Sequence, residues 1–328
     1  MPTGQLIRLY RIDRKKSTVN IATHAGITAR YLEMIEAGNK TPSLPVLRKL
    51  AKVLGVRTAA LLGEPPPSED YEGPVKPRLA EVERALYTYR SLSLSDRETL
   101  PELPELAMRI NAAWDASFTS QNKYTGVLSV LPDLIVDVEC AVNAYNRSAQ
   151  ACRLASEVYQ LARPVLKHLG RVDLGGLVSE RTMRYSEETE DPLLIGAATW
   201  NLGQALYADD MPHGAFEVAV RGAEKLEPLL PEGTPAHFAA YGGLQQLAAI
   251  SVVRLDDPWR ARELLRGPAW DAAARVGEGR DDHHIYFGPT NVRIHMMHVE
   301  QQVDELSDAA AGRLGVSARG LHHPLGAL

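Results

Sequence analysis

The sequence predicts an all-α protein in two parts, a small N-terminal helical domain followed by a longer array of paired helices. Three observations carry that prediction. Long segments repeat apolar residues at intervals of three and four, alternating strand-like runs are missing, and Gly, Pro, Ser and Thr punctuate the periodic stretches where helices must begin or stop. At 328 residues the chain also exceeds the size at which one hydrophobic core usually keeps growing, while its 45% hydrophobic content is ordinary for a globular protein.

Between Gln5 and Arg14, Leu6, Ile7, Leu9, Tyr10 and Ile12 recur at near-helical spacing with Arg8, Arg11 and Arg14 among them, which defines a first helix. Ser17 has the chemistry of an N-cap for a short second helix carrying Val19, Ile21 and Ala22. Gly26 stops that helix in a tight turn, and Thr28 caps a third running from Ala29 to about Ala37. A short helix, a glycine turn and a second capped helix form a helix-turn-helix pattern.

In the third helix Tyr31, Leu32 and Ile35 face the core, while Ala29, Arg30, Glu33 and Met34 face away. Gly38 ends it, and Asn39-Lys40-Thr41-Pro42 makes a polar loop. Ser43 is expected to cap a fourth helix built on Leu44, Val46, Leu47, Leu50, Ala51 and Leu54, with Gly55 as its stop. Thr58 opens a short fifth helix over 59–62.

Charge separates the two parts. Residues 1–62 hold eleven Lys and Arg against three acids, a net of +8, and the remainder holds 25 against 38, a net of −13; together they give the −5 of the whole chain. A compact positive domain attracts a polyanion such as nucleic acid, although a solvated basic face is an alternative.

The run Ala25-Gly26-Ile27-Thr28-Ala29-Arg30-Tyr31-Leu32-Glu33-Met34-Ile35-Glu36-Ala37-Gly38, followed by Thr41-Pro42-Ser43-Leu44, resembles the xenobiotic-response-element family of helix-turn-helix domains, which are like those of the lambda-type phage repressors. The resemblance spans roughly residues 4–63. It implies a five-helix domain that places its third helix in the major groove of double-stranded DNA. On that footing Thr28, Ala29, Arg30, Glu33 and Met34 are candidate base contacts, and Ser17, Thr18, Asn39, Lys40 and Thr41 are candidate phosphate contacts. Arg30 leads the first set because its guanidinium can donate two hydrogen bonds to guanine, with a phosphate contact as its other reading. Glu33 could accept from cytosine or remain solvated. Glu36 resembles the family position that pairs with an arginine of the first helix, here Arg11, in a structural role. The family usually has glutamine where this chain has Thr18, so no relative's sequence preference transfers.

Residues 64–77 combine prolines with acids and read as a semi-rigid linker between domain 1–63 and a helical region over 78–308. In that region helical periodicity covers about 102–119, 122–145, 147–169, 173–188, 192–208, 212–227, 234–255, 257–276 and 286–307. Short breaks such as Glu190-Asp191-Pro192 and Asp256-Asp257-Pro258 favour antiparallel pairs stacked in series. From Trp200-Asn201-Leu202-Gly203 to Ala215, Ala219 and Pro228 the small residues sit close to tetratricopeptide spacing, with Gly203 and Ala215 allowing close helix approach. Residues 309–328 read as an irregular tail.

The pairing of these two parts, with the stretch Asp281 to Val292, resembles actinobacterial-type regulators that fuse such a helix-turn-helix to a tetratricopeptide-like domain. That resemblance implies a concave face receiving a peptide, small molecule or protein partner, with dimerisation through the helical region. Trp200, Asn201, Tyr241, Tyr286, Phe287 and Asn291 are candidate lining residues, and ordinary packing is the alternative for each.

Other functions find little support. Cys140 and Cys152 lie in helical segments without a redox or metal motif, His295 and His298 lack a third ligand at definite spacing, and no nucleophile elbow, phosphate loop or informative carboxylate pair occurs. No apolar run reaches the ~20 residues that span a bilayer. The expectation is a cytoplasmic, cofactor-free, non-enzymatic DNA-binding regulator, with a protein-interaction adaptor as the alternative.

Overall fold

The computed structural model describes residues 3–56, 58–62, 75–87, 102–119, 123–279 and 282–313. Among them every regular element is helical, as the periodicity predicts. The chain divides into two compact units, Met1–Gly73 and Pro74–Leu328.

The first unit contains α1 (Thr3–Asp13), α2 (Thr18–Ala25), α3 (Ala29–Glu36), α4 (Leu44–Leu54) and α5 (Thr58–Leu61). Ile7, Ile21, Leu32, Ile35, Leu50, Leu54 and Leu61 are buried in a common core, so each helix contributes at least one inward residue. Leu9 and Ile12, part of the same apolar periodicity, remain 51% and 56% exposed, because the inward side of α1 is formed by Gly4, Ile7 and Tyr10. Gly4 lets α1 lie directly on α3, since a Cβ there would overlap the carbonyl oxygen of Ile35. The caps follow the sequence with one difference. Ser17 accepts from the Asn20 amide and Thr28 from the Tyr31 amide, both at 3.1 Å, whereas the Ser43 side chain makes no capping bond. Pro45 stands second in α4 and supplies no amide hydrogen there.

The second unit begins with α6 (Val75–Leu86), which the sequence reading leaves between linker and array. The last three positions of the expected 64–77 linker are therefore its first turn, and the rest lies outside the described residues. Next come α7 (Leu103–Thr119), α8 (Lys123–Ala144), α9 (Ala149–His168), α10 (Val172–Glu187), α11 (Pro192–Ala208), α12 (Pro212–Leu226) and α13 (Pro235–Val253). Each packs on the next, and α7, α9, α11 and α13 also pack in a row across the hairpins. Connections of three or four residues from α7 to α12, and of eight residues between α12 and α13, make neighbours antiparallel. In several turns one residue takes the left-handed conformation just before a helix-initiating proline. Glu190, Asp210 and Asp256 (φ 54°, 58° and 63°) precede Pro192, Pro212 and Pro258 in this way.

Gly203 sits where α11 meets α13, with an added Cβ falling 2.5 Å from Leu247 and 3.7 Å from the Ala215 carbonyl oxygen. The small residues thus do permit close approach. The helix expected over 257–276 is interrupted. It forms α14 (Pro258–Leu264), a π-helical turn at Leu265–Ala269 and α15 (Trp270–Val276), because Gly267 leaves helical geometry immediately before Pro268. The final helix α16 runs from Pro289 to Arg313, so it starts later than the predicted 286 and extends into the expected tail; residues 314–328 are outside the described set.

Candidate nucleic-acid interface

The first unit presents α3 by anchoring its ends and inner face. Leu32 and Ile35 are fully buried, Gly26 takes φ 67° to turn the chain between α2 and α3, and Thr28 caps the N-terminus. Arg11 of α1 grips Glu36 at the other end, with Nε to Oε1 and Nη2 to Oε2 both at 2.6 Å. This two-pronged bond raises the Arg11 pKa above its ordinary value, against the lowering effect of burial. The guanidinium is therefore held in its charged form, and the two-pronged bond fixes α3 relative to α1.

With that side fixed, Arg30 and Glu33 are exposed on the opposite side of α3, and Ala29 and Met34 are half-buried beside them. Thr28 is exposed, but its oxygen already accepts the Tyr31 amide, which leaves its hydroxyl proton for another acceptor. The loop after α3 folds back onto it. The amides of Asn39 and Lys40 both donate to the Met34 carbonyl, at 2.8 and 3.2 Å, and Gly38 takes φ 78° to allow it. Asn39, Lys40 and Thr41 are exposed there, Ser17 is exposed at the N-cap of α2, and Thr18 is half-buried in its first turn. The predicted reader and clamp residues thus share one small helical unit, with the structural Arg11–Glu36 pair beneath it.

In the second unit the predicted lining residues divide. Asn201 is completely enclosed, accepting from Arg163 Nε and donating to Thr182 Oγ1 at 3.3 Å. Trp200, Tyr241 and Phe287 are at most 8% exposed and belong to the core around α11 and α13. These four are packed inside the unit because facing helices meet there. Tyr286 is 47% exposed, and half-buried Asn291 donates to its carbonyl at 2.6 Å.

Sequence reasoning missed the strap over 282–288. His283, His284 and Tyr286 take left-handed backbone (φ 54°, 56° and 57°) although none is glycine. The strap touches three helices of the α7–α9–α11–α13 row. His284 stacks on Trp114 with ring centres 3.4 Å apart, Gln160 donates to the His283 carbonyl at 2.5 Å, and Ile285 and Phe287 rest on Gly243 and Gly242. Also missed were Arg163 and Lys167, one turn apart on α9. Burial pulls the Arg163 guanidinium down to about 10. Burial, together with the positive charges of Arg163 and Arg254, likewise holds the Lys167 ammonium below its usual range. Two cations at i and i+4 on a helix otherwise rich in buried apolar residues were the available signal.

His295 lies next to His298, and burial followed by that neighbour lowers its pKa. Among the described residues no three His, Cys, Asp or Glu side chains gather as a metal site, and no helix is long and apolar enough to cross a membrane. Cys152 is buried and Cys140 half-buried, with burial raising the Cys152 thiol.

Residues 4–64 match the family described as "Helix-turn-helix domain". An immunity repressor protein of Bacillus phage phi105 is 38% identical over 64 residues, which are 20% of this chain and 44% of that protein. The chain therefore spans less than half the length of this curated relative. Solved structures with whole-chain likeness are much more distant. PlcR of Bacillus thuringiensis, in complex with the peptide PapR7 and DNA, is 12% identical with a TM-score of 0.32, covering 83% of this chain and 94% of its own. The apo form of the competence regulator ComR from Streptococcus vestibularis is 15% identical at the same score, covering 90% and 97%. Scores this low do not establish a common arrangement of the second unit. For the first unit, family match and geometry agree: residues 4–64 are a helix-turn-helix domain.

Proposed function

We propose that the protein is a sequence-specific DNA-binding transcriptional regulator, with α3 entering the major groove of double-stranded DNA. The observation that carries this reading is the exposed Arg30–Glu33 side of α3, held on a helix-turn-helix domain of net charge +8. Arg30 donates to base edges, Thr28, Ala29, Glu33 and Met34 complete the reading surface, and Ser17, Thr18, Asn39, Lys40 and Thr41 hold phosphates. The similarity to a phage immunity repressor supports the same role.

The helical second unit receives the signal, a peptide, small molecule or protein partner, and it pairs two chains so that two α3 helices meet successive major grooves roughly 34 Å apart. The net charge of −13 over residues 63–328 keeps that part of the chain from competing for DNA phosphates. Selection of duplexes from a random pool by the full chain tests the reading. A recovered inverted repeat with half-sites about one helical turn apart supports it; binding with no enriched motif favours an adaptor whose DNA contact is secondary.

A further inference from the structure

Near the C-terminal end of α9, Arg163 and Lys167 bring together two positive charges that no carboxylate among the described residues pairs with, and Arg254, already paired with Asp210, adds a third. Arg163 is 8% exposed, and its Nε donates to the neutral Asn201 amide oxygen while its guanidinium lies 5.5 Å from the centre of the Trp200 ring. Among the described residues no carboxylate pairs with it. Lys167, one turn further along the same helix, keeps solvent access, and its ammonium has no ion pair or hydrogen bond to any described residue. Arg254, at the C-terminal cap of α13, completes the group. It donates to the Tyr207 carbonyl at 2.5 Å, lies over the Tyr207 ring at 3.5 Å, and has the mostly exposed Asp210 3.7 Å away. Tyr286 of the strap is within electrostatic range of Arg163.

Burying a guanidinium beside an amide and an indole is costly unless an anion completes its shell. Adding an ammonium on the same helix face increases that cost by repulsion. Cations are favoured near helix C-termini, which accounts for part of Arg254 and Lys167, but Arg163 lies more than a turn before the end of α9.

We propose that Arg163, Lys167 and Arg254 form a binding site for an oxyanion, the carboxylate or phosphoryl group of a small effector. Arg163 supplies fixed donors from the enclosed side, and Lys167 approaches from the solvent side as a mobile charge. The proposal deepens the reading of the second unit as the part that receives a signal, and it stands independently of DNA binding.

Thermal unfolding of the full chain without DNA tests it, using inorganic phosphate and sodium glutarate as probes against sodium chloride of equal ionic strength. Wild type is expected to show a saturable rise in Tm with one of the two probes, and which one identifies the group. Lys167→Gln is expected to unfold no lower than wild type without probe, because a repelled charge is removed. It should require at least about fivefold more probe for half the Tm rise, and Lys167→Arg should restore the response. Lys167→Gln is preferred to an Arg163 variant, whose enclosed site couples binding to folding. The proposal is overturned if neither probe exceeds sodium chloride, or if Lys167→Gln responds to the probe as wild type does. Either failure would leave the DNA reading intact, since operator selection uses no probe.

Discussion

Arg11 and Glu36 close the first unit across 25 positions of sequence, joining α1 to the last residue of the proposed reading helix through two bonds of 2.6 Å. Their side chains are 14% and 8% exposed, so solvent replaces little of what either loses. Glu36→Ala should destabilise the domain by about 1–3 kcal/mol, because the guanidinium is left partly buried without its acceptor. Urea unfolding of the full chain, followed by a probe local to the first unit, measures this. Unchanged stability would show that the pair does not fix α3.

Lys40 is exposed in the loop held against the Met34 carbonyl, beside the proposed reading helix. Lys40→Ala should weaken specific and nonspecific duplexes alike and lower the slope of log affinity against log salt by about 1. Loss confined to one sequence would instead make Lys40 a base reader.

The strap depends on missing side chains beneath it. A Cβ on Gly242 would overlap the Phe287 ring, and one on Gly243 would fall 2.5 Å from Ile285 Cγ2. Gly242→Ala should displace Phe287 and cost about 1–3 kcal/mol, with faster proteolysis across 282–288. Wild-type cleavage kinetics would mean that the strap accommodates the methyl without leaving its seat.

Asp191 caps α11, accepting from the Leu193 and Leu194 amides at 3.0 and 3.4 Å and from Arg153 at 2.7 Å. Partial burial pushes its pKa up, but these donors outweigh burial and hold it below the usual 3.8. An acid with a depressed native pKa contributes its stability above the unfolded value and loses it as pH falls through the native one. Asp191→Asn retains the cap acceptor and removes the charge, so it should cost about 0.5–1 kcal/mol at pH 7. The difference from wild type should close as pH falls below about 4. Urea midpoints at several pH values test this; a constant gap would assign the effect to the cap alone.

Local chemistry made the first unit legible. Ser17, Gly26, Thr28, Gly38 and Gly55 mark helix ends by capping or by positive φ, and those effects act within a few residues. Where two local rules met, the result was harder to read, as when Pro45 accompanied Ser43. Helix α6 was missed although Leu79, Val82 and Leu86 are buried at helical spacing, because the preceding prolines read as linker. The break at Gly267-Pro268 has a local signal, a glycine before a proline, set within otherwise helical periodicity. Nothing local foretells left-handed His283, His284 and Tyr286. Their conformation depends on Trp114 and Gln160, more than a hundred residues away. For the same reason, aromatic or amide character did not separate enclosed Asn201 from half-exposed Tyr286.

Arg30 links the geometry to sequence reading most directly. Binding of wild type and Arg30→Ala should be compared on the selected operator and on a shuffled duplex at matched salt. Arg30→Ala should lower the ratio of specific to nonspecific affinity by about 1–3 kcal/mol, roughly 5- to 150-fold, with relaxed preference at one base pair of each half-site. An unchanged ratio, with both affinities reduced equally, would make Arg30 a phosphate contact and contradict its assignment as the reader.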